Sequence, residues 1–145
     1  MDTNLKIEQK IYLEADRNEV WDALVNPLKI KQYLFGTETT SQWKKGSEIV
    51  FTGEYEGTTY RDSGVILEFL PGEKLQYTYW SSFSKTENTP ENHSVITFQL
   101  NTFGEGTELV IQQQGFPDLA AQQHSLSSWD MVLNGIKEIV EKENA

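Results

Sequence analysis

Hydrophobic and polar residues alternate from residue 37 to 115, a pattern typical of strands with one buried face. Strand signals cover residues 5–14 and runs near 37–43, 48–55, 59–69, 74–82, 94–102 and 107–115. Short turns at Glu56-Gly57, Pro71-Gly72 and 104–106 separate several of these runs, and connections of this length join antiparallel neighbours. The pattern therefore predicts a seven-stranded antiparallel sheet.

Two short helical segments are predicted between the first two strands. Asp16 is placed to accept the free amides of a first helical turn, and this helix should end before Pro27. Pro27 suits the first turn of a second helix over residues 28–34, and Gly36 suits the left-handed residue that ends it.

The last segment has the most regular pattern. After Asp118, a suitable N-cap, apolar residues recur at spacings of 7, 3, 4, 3 and 4, namely Leu119, Leu126, Trp129, Leu133, Ile136 and Val140. This spacing puts them on one face of a helix roughly 35 Å long. Because the apolar face has to be buried, the helix should lie across the sheet. Because a large antiparallel sheet curls, a wedge-shaped hollow should remain between the two.

Composition limits the number of domains and the classes of partner. The 145 residues (16.6 kDa) suffice for one domain, which we take as residues 1–145. The 12 basic and 22 acidic residues give a formal net charge of −10, which disfavours nucleic acids and anionic membranes as partners. Since the chain has no cysteine and no signal-peptide pattern, we expect a cytoplasmic protein. We also expect either a monomer or a weak dimer.

Little in the sequence favours metal binding or catalysis. His93 and His124 have no partner at metal-ligand spacing, so we expect both in solvent and expect no metal or cofactor. Glu54 and Glu56 share one strand face and resemble a carboxylate pair, although a solvated outer face explains them more simply. For Arg61, a cross-strand ion pair is a simpler interpretation than recognition of an acidic ligand.

Strand alternation identifies the side chains that should face the helix. They are Ile49, Phe51, Tyr55, Val65, Leu67, Phe69, Leu75, Tyr77, Tyr79, Ile96, Phe98, Leu100, Leu109 and Ile111. One interpretation is that these side chains fill a close-packed core. The other is that the hydroxyl groups of Tyr55, Tyr77 and Tyr79 need partners inside and mark a partly polar pocket.

Several motifs follow one another in the order used by a known superfamily. They are Glu19-Val20-Trp21-Asp22-Ala23-Leu24 with Asn26-Pro27, Trp43-Lys44-Lys45-Gly46, Ser63-Gly64-Val65-Ile66, Leu75-Gln76-Tyr77-Thr78-Tyr79-Trp80, Gly106-Thr107-Glu108-Leu109, Gln114-Gly115-Phe116, and Trp129 with Leu133. The chain resembles the START-like (SRPBCC) helix-grip superfamily, and within it the family of activator of heat-shock chaperone ATPase homologues. The resemblance implies an α+β helix-grip (Bet v-like) fold, with a seven-stranded curved antiparallel sheet around a long C-terminal helix and two short helices between strands one and two. It also implies a cavity between that helix and the sheet.

This resemblance and the lack of a catalytic set lead to one main functional hypothesis. We expect non-catalytic binding of a small hydrophobic or amphipathic ligand, lipid-like or polyketide-like, in the cavity. The candidate ligand-binding residues are Trp43, Phe51, Tyr55, Phe69, Tyr77, Tyr79, Phe98, Leu109, Phe116, Trp129 and Leu133. Two alternatives stay open: a co-chaperone-like regulator of a chaperone ATPase, with the chaperone as its partner, and an enzyme of the polyketide cyclase or dehydratase kind.

Overall fold

The computed structural model describes residues 1–143, so the predicted domain end at residue 145 lies outside the described residues. The strands are β1 (Asp2–Leu13), β2 (Glu38–Ser41), β3 (Glu48–Tyr55), β4 (Thr58–Leu70), β5 (Lys74–Tyr79), β6 (Ser94–Phe103) and β7 (Gly106–Phe116). The helices are α1 (Arg17–Val25), α2 (Pro27–Tyr33) and α3 (Leu119–Glu143), and a single 3₁₀ turn covers Pro90–Asn92.

The strands form one sheet of seven in the order β1-β7-β6-β5-β4-β3-β2, and every pairing is antiparallel. Both short helices lie in the chain between β1 and β2, and α3 follows the last strand. The predicted α+β helix-grip fold is therefore confirmed. β2 is only four residues long and pairs with β3 alone, so it is one edge of the sheet.

The predicted register of β4 is wrong over part of its length. Val65 was expected to face the core, but its side chain is 41% exposed, whereas Ile66 is 1% exposed. The pairing of β4 with β5 shifts between Ile66 and Glu68, which is a β-bulge that moves the inward face by one residue. Leu67, also predicted to be inward, is only half-buried, while Phe69 beyond the bulge packs against the core.

Side-chain caps begin both short helices, and the cap at Asp16 was predicted. The Asp16 carboxylate accepts a hydrogen bond from the Glu19 amide at 2.9 Å, which satisfies one of the free amides of α1. Asn26 does the same for α2, because its side-chain oxygen lies 3.0 Å from the Leu28 nitrogen. Gly36, with φ +90°, follows α2 in the left-handed region.

The apolar face of α3 is buried unevenly. Asp118 caps the helix by accepting the Ala121 amide at 2.9 Å. Near the other end, Leu133, Ile136 and Val140 are buried in the core. The first turns differ, because Leu119 is 64% exposed and therefore does not extend the buried face. The helix is held to the rest of the molecule mainly by its C-terminal half.

Polar contacts place α3 beside β1. The Gln122 side chain donates to the Lys6 carbonyl at 2.9 Å, and at the far end the Glu141 carboxylate accepts the Glu14 amide at 2.8 Å. The two elements therefore run in the same direction. The Lys137 ammonium and the Glu14 amide hold the pKa of Glu141 below its usual range. Apart from β1, the α3 backbone approaches the short helices α1 and α2 more closely than it approaches the other strands of the sheet.

A close contact joins α3 to α2 at Gly135. A Cβ atom at this position would lie 2.9 Å from the Cβ atom of Tyr33, so only glycine fits without a shift of one helix. The Tyr33 hydroxyl donates to the Ala23 carbonyl of α1 at 2.9 Å. All three helices thus meet at one buried tyrosine. Within residues 1–143, no helix is long and apolar enough to cross a bilayer.

The uneven burial of α3 predicts an uneven sensitivity to truncation. Ile136→Ala removes a side chain that is 0% exposed and should lower the free energy of unfolding by about 2–5 kcal/mol. Leu119→Ala, the control in the same helix, should change it by less than about 0.5 kcal/mol. Urea unfolding followed by circular dichroism measures both values. Equal losses would contradict the unequal anchoring of the helix.

Candidate functional site

A cavity of about 650 Å³ opens to solvent between the N-terminal half of α3 and the face of the sheet formed by β3 to β7. The end of α2 and the segment after β5 complete its walls. Eight aromatic side chains border it: Phe35, Phe51, Tyr55, Tyr60, Tyr77, Tyr79, Phe83 and Trp129. The cavity lies where α3 makes few contacts with the sheet, so it follows from the position of that helix.

The inner end of the cavity is apolar and tightly packed. The Phe51 ring lies 5.9 Å from the Tyr77 ring, and the Phe98 ring contacts Trp129 edge-on at 5.6 Å. Beyond them is a small void of about 30 Å³, which has room for about one water molecule. Among the described residues, the buried Thr39 hydroxyl on the wall of this void has no hydrogen-bond partner.

Gln113 of β7 connects the sheet to α3. Its side-chain oxygen accepts hydrogen bonds from the Trp129 indole nitrogen at 2.8 Å and the Ser125 hydroxyl at 2.7 Å. Its side-chain nitrogen donates to the Ser94 hydroxyl at 3.1 Å. A buried amide that makes three such bonds is costly to remove. Gln113 therefore fixes the position of the Trp129 ring on the cavity wall.

Asp62 of β4 is a buried carboxylate on the opposite wall. One oxygen accepts the Tyr79 hydroxyl at 2.6 Å, and the other accepts the Ser82 amide at 2.8 Å and the Ser82 hydroxyl at 2.9 Å. No Lys or Arg side chain within residues 1–143 forms a salt bridge with it. The carboxylate holds Tyr79 in place and ties the segment after β5 to the cavity.

Burial keeps the tyrosine hydroxyls inside the molecule protonated. Burial raises the pKa of Tyr77 well above its usual value, and no hydrogen bond joins its hydroxyl to another residue in the described part of the chain. Burial, together with the neighbouring Asp62 carboxylate, raises the pKa of Tyr79. The Tyr33 hydroxyl also has a raised pKa, because it is buried and lies near Tyr77. Tyr77, which borders both the cavity and the small void, thus has a hydroxyl without a partner in the described part of the chain.

Exposed hydrophobic side chains surround the mouth of the cavity, and we call them the rim: Phe35, Tyr55, Phe83 and Met131. Phe83 is held between Tyr55 and Tyr60, with ring centroids at 6.3 and 5.7 Å. Tyr60 lies across Gly53, where a Cβ atom would come within 2.3 Å of its hydroxyl oxygen. That hydroxyl is hydrogen-bonded to Thr37 at 2.6 Å.

His93 does not lie free in solvent, so that expectation is wrong. Its ring is half-buried, and its two nitrogens are hydrogen-bonded to Thr78 at 3.0 Å and Asn88 at 2.7 Å. Burial lowers its pKa below the usual value, so the neutral ring is favoured. The other histidine, His124, is exposed as predicted and borders the cavity.

The structure places the eleven predicted ligand-binding residues in three groups. Those that border the cavity are Phe51, Tyr55, Tyr77, Tyr79 and Trp129. Those that border the small void are Trp43 and Phe98, together with Phe51, Tyr77 and Trp129 again. Those that border neither space and pack in or against the interior are Phe69, Leu109, Phe116 and Leu133. Tyr55, predicted to face inward, is 61% exposed and stands at the mouth.

Sequence reasoning missed two polar residues of the cavity. Gln113 continues the inward series of Leu109 and Ile111, so a polar residue in an inward register was a usable signal. Asp62 gave no such signal. The bulge in β4 shifts the inward face by one residue, so alternation counted back from Phe69 predicts that Asp62 faces outward.

The charged residues singled out in the sequence lie outside the interior. Arg61 forms the predicted cross-strand ion pair with Glu48 at 3.7 Å, on the surface. Glu54 is exposed but borders the mouth of the cavity, whereas Glu56 lies in the turn beyond it. In the part of the chain that the structure describes, no three His, Asp or Glu side chains are grouped to hold a metal ion.

The raised pKa values predict the alkaline behaviour of the protein. An unfolded tyrosine ionises near pH 10, so Tyr33, Tyr77 and Tyr79 should resist ionisation in the folded state, and stability should fall as the pH rises above about 10. Absorbance titration should show these three of the six tyrosines ionising only as the chain unfolds. Tyr77→Phe should reduce the alkaline loss of stability, and Tyr12→Phe, at an exposed position, should not. Ionisation of all six in the folded protein would contradict the buried placement.

Comparison with known proteins places this geometry in a family. The family described as "Activator of Hsp90 ATPase homolog 1-like protein" matches residues 14–141. Comparison with curated proteins finds no match. The solution structure of ChR145 from Cytophaga hutchinsonii is similar, with 38% identity and a TM-score of 0.84 over 99% of this chain and 98% of that chain.

Two more distant structures share the fold. The Aha1 dimer from Colwellia psychrerythraea has 17% identity and a TM-score of 0.74, over 94% of this chain and 96% of that chain. DynU16, a protein in the dynemicin biosynthetic locus, has 13% identity and a TM-score of 0.78, over 94% of this chain and 47% of that chain. Since the family match covers most of the sequence and ChR145 has the same fold over almost its whole length, this chain belongs to the Activator of Hsp90 ATPase homolog 1-like family of the START-like superfamily.

Proposed function

We propose that this protein binds a small hydrophobic or amphipathic molecule in the cavity and performs no chemistry on it. The observation that supports the proposal is the open cavity of about 650 Å³ between α3 and the sheet. Pockets for small molecules are commonly of this size, with apolar walls and a few fixed polar groups. A core without a binding role would be close-packed at this position.

The walls supply the features that such binding requires. The inner end offers aromatic and aliphatic surface from Phe51, Ile96 and Val132. The Trp129 indole donates a hydrogen bond to the Gln113 side chain, which fixes the ring on the wall, so little side-chain ordering is left for the binding step. The Tyr77 hydroxyl, which is not used within the described chain, is available to hold one polar group of the ligand.

Catalysis is less well supported than binding. The Asp62 carboxylate accepts three hydrogen bonds, one of them from the Tyr79 hydroxyl, so neither group is free as a general base or acid. Tyr55 is at the exposed mouth. Of the tyrosines proposed from sequence for an enzyme of the polyketide cyclase kind, only Tyr77 keeps a free hydroxyl inside.

The binding proposal predicts that a bulky side chain inside the cavity displaces the ligand. Ser128→Phe places a ring at a half-buried cavity position on α3 and should weaken binding of the neutral dye Nile red by about tenfold or more. Ser127→Phe is the matched control, because it adds the same ring at the next, exposed position of the helix. Dye fluorescence titration measures both affinities, and thermal unfolding checks that both variants fold.

Equal binding by the two variants would place the dye elsewhere on the surface and contradict the proposal. An independent check is denaturation of the purified protein followed by mass spectrometry of the small molecules released. A ligand released from the wild type and from Ser127→Phe, but not from Ser128→Phe, supports the cavity as its site.

A second candidate function is regulation of a heat-shock chaperone ATPase. The family description supports it, and so does the exposed rim, where Phe35 is 74% exposed and could contact a partner. The two functions use neighbouring parts of the molecule, since a regulator acts through the exposed rim and a binding protein through the cavity that the rim surrounds.

This candidate predicts a rise in chaperone ATPase rate when the protein is added in molar excess. Phe35→Ser should reduce the stimulation because it removes an apolar contact from the rim, while Leu119→Ser, at a similarly exposed position away from the rim, should not. Steady-state ATP hydrolysis measures the effect. An unchanged rate at high excess would exclude regulation of that chaperone without affecting the binding proposal.

A further inference from the structure

The charges around the cavity have one sign. Its border contains Asp62 inside and Glu54 at the mouth, and no Lys or Arg side chain of the described residues. The remaining basic side chain on the border is the imidazole of His124. The net charge of −10 adds to the same field. A ligand therefore enters an electrostatically negative space.

Among residues 1–143, no Lys or Arg side chain forms a salt bridge with the buried Asp62 carboxylate. Its partners are the neutral hydroxyls of Tyr79 and Ser82 and a backbone amide, which satisfy its hydrogen bonding but leave its full negative charge. Charge interactions are stronger in a partly dry cavity than in bulk water, because the effective dielectric constant is lower. A carboxylate ligand would be repelled there, and a protonated amine would be attracted.

The aromatic walls favour the same sign of charge. The faces of Tyr and Trp rings carry negative potential, which attracts an ammonium group and contributes about 0.5–2 kcal/mol in known cases. Because the Tyr79 hydroxyl donates its hydrogen bond to Asp62, its oxygen can serve a further group only as an acceptor, which suits an N–H donor. The flat apolar surfaces of Phe51 and Trp129 suit an aromatic ring system attached to the ammonium group of the ligand.

We propose that the cavity selects an aromatic ligand that carries a protonated amine, accepts the neutral analogue less well, and rejects the carboxylate. This inference rests on the binding function proposed above and names the chemical class of its ligand. It also separates this protein from carriers of fatty acids, whose ligands are anionic.

Three compounds with one ring system test the charge preference: 2-(2-naphthyl)ethylamine, 2-(2-naphthyl)ethanol and 2-naphthylacetic acid. Isothermal titration calorimetry on the full chain at neutral pH should give the tightest binding for the amine, with the acid weaker by about tenfold or more. High salt should weaken binding of the amine and leave that of the alcohol unchanged, since only the first interaction is screened.

Variants locate the source of the preference. Asp62→Asn keeps the shape of the side chain but removes its charge, and should bring the affinity of the amine close to that of the alcohol. Glu105→Gln is the matched control, because it makes the same change in net charge in the exposed turn between β6 and β7, remote from the cavity. If Asp62→Asn does not fold, Glu54→Gln at the mouth and the salt dependence of the wild type still report on the charge preference.

The possible results distinguish the inference from the function on which it rests. Equal binding of the three compounds, or tighter binding of the acid, would overturn the charge preference and leave the binding function in place. The charge preference would also be overturned if Glu105→Gln reduced the preference for the amine as much as Asp62→Asn does. The cavity carboxylate would then have no special role. Failure of all three compounds and of Nile red to bind would overturn both proposals.

Discussion

Burial of the apolar side chains in the C-terminal half of α3 fixes the position of that helix, and the cavity results from this position. Ile136 and Val140 are fully enclosed, and they anchor the last turns against the sheet and the short helices. Polar contacts with β1 align the helix along one side of the sheet instead of across its middle. Leu119 in the first turn is largely exposed and does not draw that end of the helix inward, and a space remains beneath the N-terminal half.

Two polar residues fix the walls of this cavity. Gln113 fixes the Trp129 ring on the helix side, and Asp62 fixes Tyr79 and the segment after β5 on the sheet side. Buried polar groups of this kind cost free energy unless their hydrogen bonds are complete, and both residues meet that condition. They hold the walls apart with defined geometry, which is what a binding site with low ordering cost requires.

The sequence was sufficient to predict most of the fold, because local patterns carry that information. The caps at Asp16 and Asp118 and the regular apolar spacing before Val140 marked the helices, and short turns required antiparallel strands. The bulge in β4 could not be read from alternation, since an inserted residue changes the face of every side chain before or after it. Val65 was therefore assigned inward wrongly, and Asp62 was missed as a cavity residue.

The aromatic residues show a different limit of sequence reasoning. Alternation identifies which side chains face the helix, but it does not tell a filled interior from an open one, because that depends on how far the helix stands from the sheet. Leu109 and Phe51 have equivalent inward positions, yet one is enclosed in the core and the other borders the cavity.

The division of α3 into an anchored half and a cavity-lining half has a consequence for how such a protein can evolve. Substitutions in the last turns are limited by folding stability, whereas His124, Ser128 and Met131 border the cavity and carry little of the core. Ligand preference can therefore drift through residues of the first turns at small thermodynamic cost, which avoids the usual trade-off between new specificity and a stable scaffold. A single helix then supports many specificities on one architecture.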